Sequence, residues 1–470
     1  MNGQTPVLLT DDQMRQFITE GFLILKTDFS KQFHQELLQE LNEVYEKEGN
    51  PGNNLLPRIR GLRKVFDHPV IRGGLTSVLG PDYMLHTHRH GHYNSSPQAG
   101  GWHKDSYWGY SRVRNHHPWW AMIMYFPQDT PPELGPTGIM PGTQNYESRT
   151  FDKDDSPGEA LASGEAGTFA LIHYDIWHRS TPNVLGQHRY MLKFEFMRTA
   201  APVAPTWDNR TPEWIAPASF SAPLVRHDAM WEDTWLWLQG KIGGTAGLAS
   251  DSSERLAELE ARLQDPFEPE RLNAAYGLAR NGRNGIERLL PALGHERAEV
   301  SRAAAYGLSA AGAEAVPGLI AALDSPSPHT VMHAVFALGE LRELASAAVP
   351  AIIRLLDGSS EPVRRTAVEA LGMIGEPAAQ ATEGLIRCLK DADVQVRFMA
   401  GLSLARLGSK AAAAVPHLVA ALEDENRYVR GHAAEALRYI GTEEARDALI
   451  DFLFSSRWCP TTTPASTFYP

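Results

Sequence analysis

The sequence predicts two regions of different class: an α+β region with helices first and strands after, then an all-α array of repeated helix pairs. Three observations carry this. The composition turns near residue 250, with Trp, Tyr, Phe, His and Pro common before it and Ala, Leu, Val, Glu and Arg after it. From Tyr83 to Arg198 the pattern is mostly extended, broken by Gly and Pro turns. A period of 33 residues runs through most of the second half. At 470 residues, 43% hydrophobic and 21% charged, the chain is globular in composition and long enough for two or three domains.

In the first stretch, "LTDDQMRQFITEGFLIL", Thr10 and Gln13 have capping-box spacing and Met14, Phe17 and Ile18 follow at helical period. A strand over 22–25 comes next, and "FHQELLQELNEVYEK" is a second amphipathic helix. The extended segments are "LHTHRHGHYN", "WWAMIMYF", "GTFALIHYDIWH" and "RYMLKFEFMR". Their simplest assembly is a β-sandwich with helices against one sheet. Tyr190, Leu192, Phe194 and Phe196 alternate with Arg189, Met191, Lys193 and Glu195. If Arg189 points inward, the aromatic set packs under the helices and Lys193 and Glu195 share Arg189's face. The pair His116 and His117 reads as loop. In "WEDTWLWLQG", Trp231, Trp235 and Leu238 recur at helical spacing, which fits a docked helix. The expected boundaries are a first domain over 1–245, a linker over 246–254, repeats over 255–454 and a tail over 455–470.

The repeats align on Leu278, Leu308, Leu338, Leu371, Leu404 and Leu437, spaced 30, 30, 33, 33 and 33. "AVPGLIAAL", "AVPAIIRLL" and "AVPHLVAAL" place Pro317, Pro350 and Pro416 in the first turn of a helix, where a missing N–H costs nothing. One such helix pair cannot bury its apolar face alone, so the units must stack. The pattern resembles HEAT-type repeats, about six of them.

The net charge is −12, which gives no basic excess for a nucleic-acid partner. There is no signal-peptide pattern and no apolar run of spanning length, so no membrane role is expected. The two cysteines, Cys388 and Cys459, form neither a disulfide framework nor a zinc site. A cytoplasmic protein is the simplest expectation.

The chemistry concentrates in "GWHKDSYWG" and "DIWHRSTPNVLGQHRYMLKF". His103 and Asp105 are two apart and can point the same way, and His178 lies 73 residues after Asp105. Two histidines and a carboxylate suit a non-haem Fe(II) that keeps open positions. His-x-Asp alone is a weak motif. Arg189, eleven residues after His178, and Ser180, two after it, strengthen it. An arginine fork with a hydroxyl is what a distal carboxylate needs.

This order of motifs resembles the phytanoyl-CoA dioxygenase family of iron and 2-oxoglutarate oxygenases over residues 8 to about 240. "ELGPTGIMPGTQ" is similar to a loop of that family, with Leu134 in place of its Asn and Gln144 in place of its His. The resemblance implies a double-stranded β-helix (jelly roll). It implies His103, Asp105 and His178 as the catalytic iron ligands, and Arg189 with Ser180 on the 2-oxoglutarate carboxylate. Thr137 is a further candidate for the co-substrate. The implied reaction uses O2, releases succinate and CO2, and oxidises a C–H bond. Halogenating relatives lack the carboxylate that Asp105 retains, so hydroxylation, desaturation or cyclisation is preferred.

"LHTHRHGHYN" puts His86, His88, His90 and His92 on one strand face. As a metal site it is poor, because alternate residues sit about 6.6 Å apart. It reads either as an exposed polar face or, from the resemblance, as a wall of the site. The second reading puts His90 on 2-oxoglutarate and His88 on substrate or co-substrate, with His86 deeper. Tyr107 and Trp108, with Trp119 and Trp120, are candidates for an aromatic substrate pocket, ordinary core packing being the alternative. The expected substrate is a small molecule. The alternative is a protein or carrier-bound substrate held by the repeat surface, and an inactive binding protein is disfavoured by the complete triad. The aromatic tail, with Trp458, Phe468 and Tyr469, reads as a strap over the first domain.

Overall fold

The computed structural model describes residues 4–105, 113–152 and 157–455. Tyr107, Trp108 and the expected C-terminal strap lie outside the described residues. The first helix, Asp11–Glu20, starts at the expected capping box of Thr10 and Gln13 and stops at Gly21, whose φ of 82° reverses the chain. A second helix spans Lys31–Glu48.

Eight strands follow in chain order: β1 Phe22–Lys26, β2 Met84–Asn94, β3 Trp120–Tyr125, β4 Thr137–Ile139, β5 Ala160–Leu161, β6 Thr168–His173, β7 His178–Ser180 and β8 Arg189–Met197. They form a five-stranded sheet in the order β1-β6-β3-β8-β2 and a three-stranded sheet in the order β5-β4-β7. Every strand pair is antiparallel. The aromatic face of β8 meets the helices as its alternation requires. Tyr190 packs edge-on to Tyr45 of the second helix, and Phe194 to Phe66 of the helix Leu62–Asp67.

A bulge shapes β2. Leu85 pairs with Phe196 and Arg89 with Phe194, so three residues of β2 stand against Glu195 alone. The surplus is even, and side-chain parity survives it. His90 lies across from Lys193, His92 from Met191 and Asn94 from Arg189.

The second region is a stack of helix pairs. The six helices that carry the repeated leucines are Glu268–Ala279, Ala298–Ala310, Pro328–Glu340, Glu361–Ile374, Val394–Leu407 and Arg427–Ile440. They pack side by side in sequence order. The repeat also fixes a ladder of ion pairs: Arg364 meets Asp391 at 2.9 Å, and 33 residues on Arg397 meets Asp424 at 2.9 Å.

This row of six helices lies against the first region. His116 donates to or accepts from Tyr276 at 2.9 Å, and its ring stacks on Tyr306 at 3.7 Å. His117 bonds Glu340 at 2.7 Å, and His86 bonds His432 at 2.8 Å. Trp119 stacks against the guanidinium groups of Arg342 and Arg406. In the helix Arg427–Ile440, Gly431 passes so close to β2 that a Cβ there would meet Thr87 at 2.5 Å. The glycine-rich stretch between the regions is tied to both, Thr245 to Asp233 and Asp251 to Asn281. His116 and His117 are therefore loop residues, but buried ones, and Trp119 is a seam residue rather than a pocket wall. Among the described residues, no helix is long and apolar enough to cross a membrane.

Candidate metal centre and its pocket

His103 follows β2 and is clamped to His178 at the start of β7 by two main-chain hydrogen bonds of 3.0 Å. Nδ1 of His103 faces the Gly101 carbonyl at 2.9 Å, and Nδ1 of His178 faces the Ile176 carbonyl at 3.1 Å. Each Nδ1–H donates there, which leaves each Nε2 as the lone-pair atom. His178 Nε2 lies 3.3 Å from Oδ2 of Asp105, and His103 Nε2 lies 4.0 Å from Oδ1. One ligand atom from each of the three side chains lies within 4.8 Å of the others.

Burial opposes the charge of Asp105, but His178 and Lys193 beside it hold its carboxyl well below the usual range. Burial first, then His178, lowers His103 and keeps it neutral. Two imidazoles and an ionised carboxylate beside a cavity fit a divalent iron that keeps open positions.

That cavity, of ≈ 170 Å³, lies between the two sheets and reaches from His103 and His178 to Thr137, Ser180, Arg189 and Lys193. Arg189 is buried, its Nε donates to the Gly135 carbonyl at 2.8 Å, and its guanidinium has no carboxylate partner among the described residues. Burial pulls it down to about 10, still charged at neutral pH. A buried guanidinium without a counter-charge on a cavity wall suits the distal carboxylate of a small dicarboxylate. Thr137 pairs with Ser180 across β4 and β7, and both line the cavity together with Arg189.

The histidine stripe is divided. His92 and Asn94 line the cavity, whereas His86, His88 and His90 do not. His92 is pushed down to about 3, by burial first and by Lys193 next. His90 stands between His88 and His92, ring against ring. His86, expected near substrate, is instead fully buried between Glu195 Oε2 at 3.2 Å and His432 Nε2 at 2.8 Å. His88 meets the Tyr428 hydroxyl at 3.2 Å. The bulge causes this offset, because it carries the front of the stripe onto the helices and leaves the back over the cavity.

Lys193 was legible only as sharing Arg189's face. Its Nζ lies 2.9 Å from Asp105 Oδ2 and 3.8 Å from Glu195 Oε1. Glu195 is raised to about 7 by burial, with Lys193 and His88 opposing. A buried polar path thus runs from Asp105 through Lys193, Glu195 and His86 to His432 on the sixth motif helix.

A two-histidine, one-carboxylate cluster between antiparallel sheets, with a buried arginine across the cavity, defines an oxygenase-type site. Residues 21–191 match the family of phytanoyl-CoA dioxygenase (PhyH), and residues 256–331, 316–382 and 382–458 match HEAT repeats. The chain carries a phytanoyl-CoA dioxygenase-family domain followed by HEAT repeats. Similar solved structures include the non-heme monooxygenase ThoJ in a nickel complex, 18% identical, with a TM-score of 0.32, over 45% of this chain and 85% of that one. Its apo form is also 18% identical, with a TM-score of 0.33, over 45% and 86%. A designed armadillo repeat protein in complex with a (KR)4 peptide is 22% identical, with a TM-score of 0.30, over 40% and 99%. No curated protein matches the chain.

Proposed function

We propose that the first region is an Fe(II)- and 2-oxoglutarate-dependent dioxygenase, built as a double-stranded β-helix, that hydroxylates a C–H bond of a small-molecule metabolite. The observation that carries this is one cavity lined both by His103 and His178 of the gathered donor set and by a buried Arg189 with no carboxylate partner among the described residues. His103, Asp105 and His178 would hold the iron, which with 2-oxoglutarate and O2 supplies an oxidant for an unactivated C–H bond, giving succinate and CO2. Arg189, with Ser180 and Thr137 beside it, takes the far carboxylate of the co-substrate. Lys193 fixes the rotation of Asp105 by its contact to Oδ2. His92 and Asn94, rather than His88 and His90, are the stripe's members within reach of a bound molecule.

The small-molecule reading is favoured over a protein substrate held by the repeats. The motif-helix row, the face such a substrate would use, is buried against the dioxygenase. The test is succinate release from 2-oxoglutarate with added Fe(II), in the presence of a metabolite pool. Turnover is expected in the native chain and a loss of at least about 10²-fold in His103→Ala. A native chain that binds Fe(II) but consumes no 2-oxoglutarate overturns the reading.

A further inference from the structure

A second cavity, of ≈ 320 Å³, lies in the seam between the two regions. Its walls include Thr199 after β8, Arg342 after the third motif helix, Gly372 in the fourth, Arg406 in the fifth, and Lys410. Lys410 is taken up by Glu376. Arg406 Nη1 lies 3.7 Å from Glu369, and its Nη2 donates to Met197 Sδ. Arg342 is different. It is 7% exposed, and no hydrogen bond or ion pair reaches its guanidinium among the described residues. Its Nε and Nη1 are buried without a partner. Among the described residues the carboxylates on this wall are Glu376 and the exposed Glu343; Glu343 and the nearby Glu340 act on Arg342 through space, but neither forms an ion pair with it.

A second buried guanidinium, Arg198, adds to the imbalance. It donates one bond, to the Val78 carbonyl, and leaves Nε unpartnered. Burial lowers both, Arg342 to about 9 and Arg198 to about 9; Arg406 lowers Arg342 further while Glu340 and Glu343 oppose it in part, and Arg342 lowers Arg198 further. Stacking on Trp119 at 4.4 Å does not replace a counter-charge, since a ring face offsets only part of the desolvation of a guanidinium. Arg342 is also the one non-glycine residue with positive φ, 57°, among the described residues. That conformation persists only where the surroundings hold it.

We propose that this seam cavity is a binding site for a phosphate-class oxyanion, either inorganic phosphate or the phosphoryl group of a small metabolite, with Arg342 as its principal ligand. The site joins β8 of the dioxygenase to three of the motif helices, so an anion there fastens the two regions together. It is separate from the metal pocket and does not depend on the reaction assigned to that pocket.

The test is thermal unfolding of the full chain with inorganic phosphate or glycerol phosphate, against chloride at matched ionic strength. A saturable rise in Tm of about 3 °C or more is expected with phosphate and is expected to vanish in Arg342→Gln. Saturation at lower glycerol phosphate than phosphate would assign the phosphorylated metabolite, and the reverse order free phosphate. An equal rise with chloride, or an undiminished rise in Arg342→Gln, overturns the site. If Arg342→Gln does not fold, a tungstate soak of native crystals decides: density beside Arg342 supports the site, and density elsewhere or none rejects it.

Discussion

The metal pocket and the seam both border the large sheet, yet a buried histidine nitrogen is finished differently in each. In the pocket, Arg189 has no carboxylate partner among the described residues, His92 Nε2 is unpartnered, and one ligand atom from each of the three triad side chains lies within 4.8 Å of the others. In the seam, His117 is closed on both nitrogens, by Asp233 at 3.0 Å and Glu340 at 2.7 Å, with its ring flat on Trp237. A surface made to receive a ligand leaves donors unpaired, and a surface made to stay shut pairs them. By that standard Arg342 belongs with the pocket although it lies in the seam.

The largest effect should come from removing one side of the seam. Residues 1–245 alone would expose His86, His116, His117 and Trp119, all buried in the full chain. Each such group leaves an unpaired polar atom or a bare aromatic face. The expected outcome is an insoluble or loosely packed fragment, read by recovery and by near-ultraviolet circular dichroism. A soluble, well-packed fragment that binds Co(II) at the triad would break the comparison, because the seam would then be a contact rather than part of the fold.

A smaller change sharpens the same point. His117 is raised to about 9 by the bonds from Asp233 and Glu340, against the cost of burial. Its folded value lies above the unfolded one, so its stabilisation is fully present below pH 6.5 and is lost as pH rises through about 9. The span corresponds to roughly 3 kcal/mol. The native chain should therefore lose stability from neutral pH to pH 9 and above. Glu340→Gln should lower stability by about 3 kcal/mol at pH 6 and flatten that slope. Chemical denaturation at several pH values checks both, and an unchanged slope in Glu340→Gln would mean that the triad of charges does not hold the seam.

The two regions of this comparison were not equally legible in the sequence. His103, Asp105, His178 and Arg189 sit in short motifs whose spacing carries their chemistry, and the structure brings them around one cavity. The leucine period likewise announced the stacked helices. The seam has no such signature, because its partners come from distant stretches: Asn115 reaches Glu340 225 residues on, and His86 reaches His432 346 residues on. A histidine that will be buried against another repeat looks, in one dimension, like a histidine of a polar strand. The bulge at Glu195 was equally hidden, since alternation alone cannot tell where a strand gains two residues. That is why His86, His88 and His90 were expected at the site while His92 is the histidine of the stripe that lines it.

The smallest expected effect tests whether pocket and seam communicate. The Tyr428 hydroxyl touches His88 Nδ1 at 3.2 Å and Asn53 at 3.4 Å. His88 Nε2 in turn lies 3.8 Å from Glu195, which faces Lys193, which holds Asp105. Tyr428→Phe keeps the ring and removes the hydroxyl, so the loss of a net hydrogen bond should cost only about 1 kcal/mol of stability. Four contacts link Tyr428 to Asp105, and positional effects weaken along such a chain. Turnover of 2-oxoglutarate should therefore fall by about three- to tenfold, with the KM for 2-oxoglutarate unchanged. A raised KM would place Tyr428 against the bound molecule itself. Unchanged turnover with the same loss of stability would mean that the polar path from Tyr428 through His88 to Asp105 carries no positioning role.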